Sequence, residues 1–233
     1  MCGPYGYQSS ALKTALCCRH FAALMIIAIL SLATAEAEPL RIVAFGDSLT
    51  SGYRLPPEAS FPAKLQAALK ARGYDVTVAN AGAPGNTATS GLERLDRSVP
   101  QGTDGVIVEF GANDALRGID VHLTERALDA IIARLKARGI PVLLAGMWAP
   151  SSRGVLFMAD FHAIYPRLAE KHAVALYPFF LAGVAANPSL NLRDGIHPNA
   201  AGVDVIVSRI MPTVEIWLDG MRASRSVRER ASP

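Results

Sequence analysis

With 233 residues, 51% of them apolar, the chain is long enough for one single-core domain and short for two. Its formal charge of +3 is small, and its basic residues are dispersed except at Arg222, Arg225, Arg228 and Arg230, so a nucleic-acid footprint is excluded and the basic end reads as a solvated, frayed tail. All three cysteines, Cys2, Cys17 and Cys18, precede the first apolar run, which excludes disulfides from a processed chain.

Lys13, Arg19 and His20 lead into the apolar run 21–32, followed by small residues at Ala33, Ala35 and Ala37, the layout of a secretory signal. The run is about a dozen residues, shorter than the roughly 20 that a membrane-spanning helix needs. Cleavage is expected after Ala37, with Ala35 as the other candidate, giving a signal peptide at 1–37 and a single domain at 38–233. An uncleaved anchor is the alternative. Because Cys17 and Cys18 precede the apolar run, a lipid-modified cysteine is not expected, nor is a stable membrane anchor after processing.

From Leu40 onward, short runs rich in Val, Ile and Leu predict buried parallel strands at 41–45, 76–79, 106–110, 141–146 and 174–177. Between them, Phe61, Leu65, Ala68 and Leu69 recur at helical spacing and stop at Gly73; Leu128, Ile131, Ile132 and Leu135 do the same and stop at Gly139. Both glycines read as C-terminal caps. Further helices are predicted over 157–172, where Pro166 should kink or split the element, and over 199–218, with the same difficulty at Pro212. Strands alternating with helices make the fold class α/β, a three-layer domain without repeats or linkers.

The polar residues that follow the strands carry the chemical information. Gly46-Asp47-Ser48 follows the first strand, 80–87 the second, and Asn113-Asp114 the third. In parallel α/β sheets, ligands bind in the crevice beyond the C-terminal strand ends. A serine at such a turn can present its hydroxyl to the crevice while helix N-terminal amides face developing negative charge. Serine is a weak nucleophile and needs a base. His197, in Asp194-Gly195-Ile196-His197-Pro198, is the candidate, and Asp194 can hold the other ring nitrogen. The Asn113 side chain and backbone amides at Ser48 and in the glycine loop are candidate oxyanion donors. Taken singly, Ser48 reads as a helix cap, and His197 and Asp194 as turn residues. Asp47 reads as fixing its turn through backbone hydrogen bonds in preference to serving as a second acid. Glu109, on a central strand, needs a partner that the sequence does not name. His122, His162 and His172 fall as scattered singles on helices, and no metal-ligand cluster is present.

The segment Ala44-Phe45-Gly46-Asp47-Ser48-Leu49-Thr50-Ser51-Gly52-Tyr53 resembles the first block of the GDSL, or SGNH, hydrolases. Asn80-Ala81-Gly82-Ala83-Pro84-Gly85-Asn86-Thr87 is similar to the second, Gly111-Ala112-Asn113-Asp114 to the third, and Asp194-Gly195-Ile196-His197-Pro198 to the last. The resemblance implies a flavodoxin-like α/β/α fold around a five-stranded parallel sheet and a catalytic triad of Ser48, His197 and Asp194. It also implies an oxyanion hole from the Ser48 amide, Gly85 and the Asn113 side chain, and neither cofactor nor metal. Gly82 is the alternative to Gly85.

Within that family, Ser51-Gly52-Tyr53 and Val108-Glu109-Phe110-Gly111-Ala112-Asn113-Asp114-Ala115-Leu116-Arg117-Gly118 look most like the small exported acyl hydrolases that act as thioesterases, arylesterases and lysophospholipases. By that likeness, 115–118, including Leu116, forms a mobile loop beside the acyl site. The segment 147–157, with Trp148, Pro150, Leu156 and Phe157, lines an apolar pocket. The expected partner is a small-molecule acyl ester or thioester, with no nucleic acid, acting on a periplasmic monomer. A carbohydrate O-acetyl esterase is the alternative, disfavoured by that apolar segment. A non-catalytic binding protein is disfavoured because all four blocks retain their reactive residues. A flavin-binding protein rests on fold alone, which does not imply function.

Overall fold

The computed structural model describes Met1 and residues 38–231, with side chains as far as Val227. The cysteines and the expected signal segment, Met1 aside, lie outside the described residues. Five strands form one all-parallel sheet: β1 Leu40–Gly46, β2 Val76–Gly82, β3 Gly105–Glu109, β4 Val142–Ala145 and β5 Ala175–Tyr177, in the order β2-β1-β3-β4-β5. Each forms where a Val, Ile or Leu run was predicted, and β3 is buried along its whole length, as suits a strand covered on both faces. The register sets Gly46 between Gly82 and Glu109, with Ala145 beside Glu109. The loops after β1, β2 and β3 therefore leave the sheet side by side at one edge.

Seven helices cover the sheet among the described residues: α1 Ser48–Ser51, α2 Phe61–Ala71, α3 Ala88–Ser98, α4 Ala112–Arg117, α5 Val121–Ala137, α6 Val155–His172 and α7 Ala200–Ala231. Helix α2 packs with α7, while α3, α5 and α6 pack in series, so the domain has three layers, α/β/α. The stop at Gly73 is a Schellman cap: Gly73, at φ +81°, donates to the Lys70 carbonyl, and Tyr74 donates to the Leu69 carbonyl. Gly139 ends α5 in the same way, through bonds to Lys136 and from Ile140 to Leu135.

Both proline-containing helices depart from expectation. Helix α6 is not split at Pro166 but continues as one element of 18 residues. Phe161, Ile164 and Leu168 are buried on its inner face, at roughly 1.5–3 kcal/mol each, which outweighs the about 3 kcal/mol that an interior proline costs. Helix α7 likewise runs past Pro212, which is exposed, while Ile210, Met211, Val214 and Leu218 are buried around it. It continues to Ala231, so the basic end is helical where a frayed tail was expected, and Arg222 stacks over the Tyr74 ring at 4.4 Å. Two further corrections concern the site. Residues 115–118 are no loop but the last turn of α4, closed by left-handed Gly118. Helix α3, absent from the sequence reading, starts at Thr87, whose hydroxyl oxygen accepts from the Ser90 N–H.

Candidate active site

At the end of β1, Asp47 caps α1: its Oδ1 accepts from the Leu49 N–H at 2.9 Å, which turns the chain sharply and places Ser48 at the first helical position. An N–H at that position has no acceptor within its own helix. Ser48 is largely buried, and its Oγ lies 3.0 Å from His197 Nε2. His197 Nδ1 lies 2.9 Å from Asp194 Oδ2, while Asp194 Oδ1 accepts the backbone N–H groups of Ile196 and His197. The loop is folded for this. Leu192 donates to the His197 carbonyl, Gly195 turns at φ +71°, and Asn199 Oδ1 accepts from Gly202 N–H at the start of α7. The Tyr53 ring packs against the imidazole, with centroids 4.5 Å apart. The His197 amide foremost, with the Ile196 amide and the imidazole, holds the Asp194 carboxyl down at about 2 against a smaller opposing effect of burial. Such an arrangement can take a proton from the serine and stabilise the imidazolium that results.

The candidate oxyanion donors are tied to one another. Asn113, in the first turn of α4, donates from Nδ2 to Asp47 Oδ2 and to the Asn86 carbonyl, each at 3.0 Å, which joins the loops after β1, β2 and β3. Gly85 sits exposed at φ +79°, and its carbonyl accepts from Arg117 at 2.9 Å. Gly82 is placed differently. Its N–H donates to Asn80 Oδ1, and a Cβ there would stand 2.3 Å from the Ser51 backbone nitrogen, so this glycine serves close packing.

Beneath Ser48 lie three buried acids. Glu109 finds the partner that the sequence left unnamed: the Thr50 hydroxyl donates to its Oε2 at 2.7 Å. Its Oε1 has no partner among the described residues. Burial, and then the neighbouring Asp47, push the Glu109 carboxyl well above its ordinary range, which favours its neutral form. Asp114 accepts from the Ala88 N–H and the Thr124 hydroxyl, tying α4 to the starts of α3 and α5, and burial raises it too. The residue that sequence reasoning missed is Arg94. It donates to the carbonyls of Gly46 and Ala81 and to Asn86 Oδ1, and it stacks on Phe45 at 4.5 Å. The signal was available, since Ala88, Gly91 and Leu95 form an apolar stripe on 88–98 and Arg94 interrupts it.

Of the expected substrate contacts, Leu116 is partly exposed on α4, and its carbonyl accepts from Arg153. Trp148 is 52% exposed beyond the end of β4, stacked on Phe179 at 4.3 Å and tilted against His162. Pro150 is half-buried and opens the turn that carries Arg153. The segment 147–157 is mixed: Met147 is a core residue, whereas Val155 and Leu156 are exposed. His162 is packed, accepting from the Ala149 N–H. A cavity of about 420 Å³ lies at the opposite end of the sheet, lined by Leu40, Pro141 and Trp217, far along β1 from Ser48. Among the described residues no group of acidic, histidine or cysteine side chains could hold a metal.

Residues 44–205 match the family described as GDSL-like Lipase/Acylhydrolase. The chain is 38% identical over 176 residues to an arylesterase of Vibrio mimicus, covering 75% of this chain and 88% of that one. It is 37% identical over 176 residues to thioesterase 1/protease 1/lysophospholipase L1 of Escherichia coli strain K12, covering 75% and 82%. Among solved structures it resembles AlinE4, an SGNH-hydrolase family esterase, with a TM-score of 0.66 and 41% identity, covering 78% of this chain and 97% of that one.

Proposed function

The chain belongs to the GDSL-like lipase/acylhydrolase family and is a carboxylic ester hydrolase of that type, with ester and thioester cleavage in its range, and from that premise we propose the roles of its residues. Ser48 Oγ attacks the acyl carbon as its proton passes to His197 Nε2. Asp194 stabilises the imidazolium through Nδ1. The tetrahedral oxyanion is held by the Ser48 and Gly85 amides and the Asn113 side chain. Collapse expels the alkoxide or thiolate, which takes the proton back from His197. Water, deprotonated in turn by His197, attacks the acyl-serine; breakdown of the second tetrahedral species releases the acid and restores Ser48. The observation that carries this reading is the Ser48, His197, Asp194 relay, at 3.0 and 2.9 Å. Gly85 is favoured over Gly82 because the Gly82 N–H is already spent on Asn80.

Leu116, Trp148 and Pro150 are proposed to receive the acyl or aryl group, supported by the exposed apolar surface of the first two at the same sheet edge. An acetylated sugar is the other reading, and relatives named as an arylesterase and a thioesterase/lysophospholipase do not favour it. The signal-like segment before Pro39 supports export, with cleavage after Ala37 and a periplasmic monomer as the product; among the described residues no helix is long and apolar enough to cross a membrane. The test is hydrolysis of p-nitrophenyl esters from acetate to palmitate beside Ser48→Ala. Activity abolished in the variant is expected, and activity that survives the substitution would overturn the assignment.

A further inference from the structure

Asp47 does more than cap α1. Its two carboxylate oxygens divide their work: Oδ1 takes the Leu49 N–H, and Oδ2 takes one hydrogen of the Asn113 amide. The second hydrogen of the same nitrogen is directed to the Asn86 carbonyl. Both donors of Asn113 are therefore engaged in the resting site, and a donor can serve an oxyanion only by releasing one acceptor or sharing with it. The two acceptors are unequal, because a hydrogen bond to a carboxylate is roughly twice as strong as one to a neutral carbonyl. Asp47 is wholly enclosed, whereas Asn86 lies on a half-exposed loop. The weaker bond is the one that an oxyanion can displace.

We propose that Asp47 is a positioning residue that pins the Asn113 amide by one hydrogen, leaving the hydrogen now on the Asn86 carbonyl to swing or fork toward the oxyanion beside Ser48. This rests on the role of Asn113 proposed above and adds the residue that orients it. As an anion Asp47 only accepts, so it dictates which end of the Asn113 amide faces it. Protonated, it could donate to Asn113 Oδ1, and the amide could turn over. Burial raises the Asp47 carboxyl to about 7, with the Leu49 amide, the Asn113 amide and Arg94 favouring the anion and Asp114 opposing it. The ionised Asp47 carboxylate faces Asn113 through Oδ2. Its field opposes the oxyanion directly while polarising the donor toward it. The sign of the net effect is therefore measurable and is expected to favour catalysis.

The experiment is a double-mutant cycle at pH 8 with Asp47→Asn, Asn113→Ala and the double variant, reading kcat and KM separately, with Ser48→Ala as the reference for the underlying reading. Asp47→Asn keeps the shape, and with its amide oxygen on the Leu49 N–H it turns an NH2 toward Asn113, so the acceptor that holds the Asn113 donor is lost. Expected is a roughly 10- to 100-fold loss in kcat, below the 10²–10³ for deleting an oxyanion donor outright, with KM within about twofold. In the Asn113→Ala background, Asp47→Asn should cost nothing more. An equal loss in both backgrounds would overturn the proposal, because Asp47 would then act independently of Asn113. Survival of activity in Ser48→Ala would instead remove the reading beneath it. Should Asp47→Asn not fold, the wild-type protein decides by NMR of the Asn113 side-chain amide with and without a boronic acid that forms a tetrahedral serine adduct. One amide proton holding its shift while the other moves supports pinning, and two protons moving together or averaging overturns it.

Discussion

Two aspartates serve the site around Ser48, one through His197 and one through α1 and Asn113, and their surroundings drive them in opposite directions. Asp194 lies on the loop before α7 with its side chain 30% exposed, and backbone amides with the imidazole hold its carboxyl at about 2. Asp47 is fully buried under α1, and loss of water pushes it to about 7 although two hydrogen bonds and Arg94 favour the anion. Residue type is constant across the pair, so hydration and donor count decide the difference. The exposed carboxylate remains charged throughout the working range and can support an imidazolium. The buried one shares a pocket with Glu109 and Asp114 and serves geometry.

The sharpest break of this comparison is at the hydroxyl itself. Ser48→Ala should lower kcat by about 10⁶ and abolish labelling by a fluorophosphonate, the scale seen for serine nucleophiles; near-normal turnover would end the proposed role. On the exposed side, Asp194→Asn keeps the shape but removes the charge and favours the wrong imidazole tautomer, a change that costs on the order of 10⁴ in kcat in serine proteases. A loss below tenfold would mean that His197 is oriented by its loop alone. On the buried side, Asn113→Ala should cost roughly 10²–10³ in kcat, and an effect confined to KM would make Asn113 a ground-state contact instead.

Ser48, His197 and Asp194 were far more legible in the sequence than the contacts beneath them. Ser48 stands directly after the first strand, and Asp194 and His197 in a short block before the last helix, all in polar motifs set apart from the apolar runs that located the strands. Asp47 reads in the sequence as fixing its turn, which the Leu49 bond bears out, but its bond to Asn113 does not show there, and Arg94 and Thr50 likewise act across the sheet, Arg94 to the Gly46 carbonyl and Thr50 to Glu109. Periodicity and local motifs carry no such distances. The prolines misled for a related reason: Pro166 and Pro212 argue locally for a break, yet burial of Phe161, Ile164, Met211 and Val214 around them decides the outcome.

The smallest expected effect tests the comparison through stability. A carboxyl whose folded-state pKa is raised holds its proton longer in the native protein than in the unfolded chain. The stability it contributes is complete below the unfolded value near 3.8 and is lost as pH rises to about 7. Glu109, also raised by burial and by Asp47, contributes with the same sign. Asp194 has the opposite sign: its contribution is present above about 3.8 and disappears only as pH falls toward 2. The two windows do not overlap. Urea unfolding measured from pH 4 to 8 should therefore show the wild-type protein losing stability relative to Asp47→Asn by up to about 1.4 kcal/mol per pH unit for the proton concerned. Asp194→Asn should remove the loss of stability that the wild-type protein shows below pH 4. Parallel curves for wild type and Asp47→Asn would mean that Asp47 is ionised throughout, and the contrast between the two aspartates would then be one of position alone.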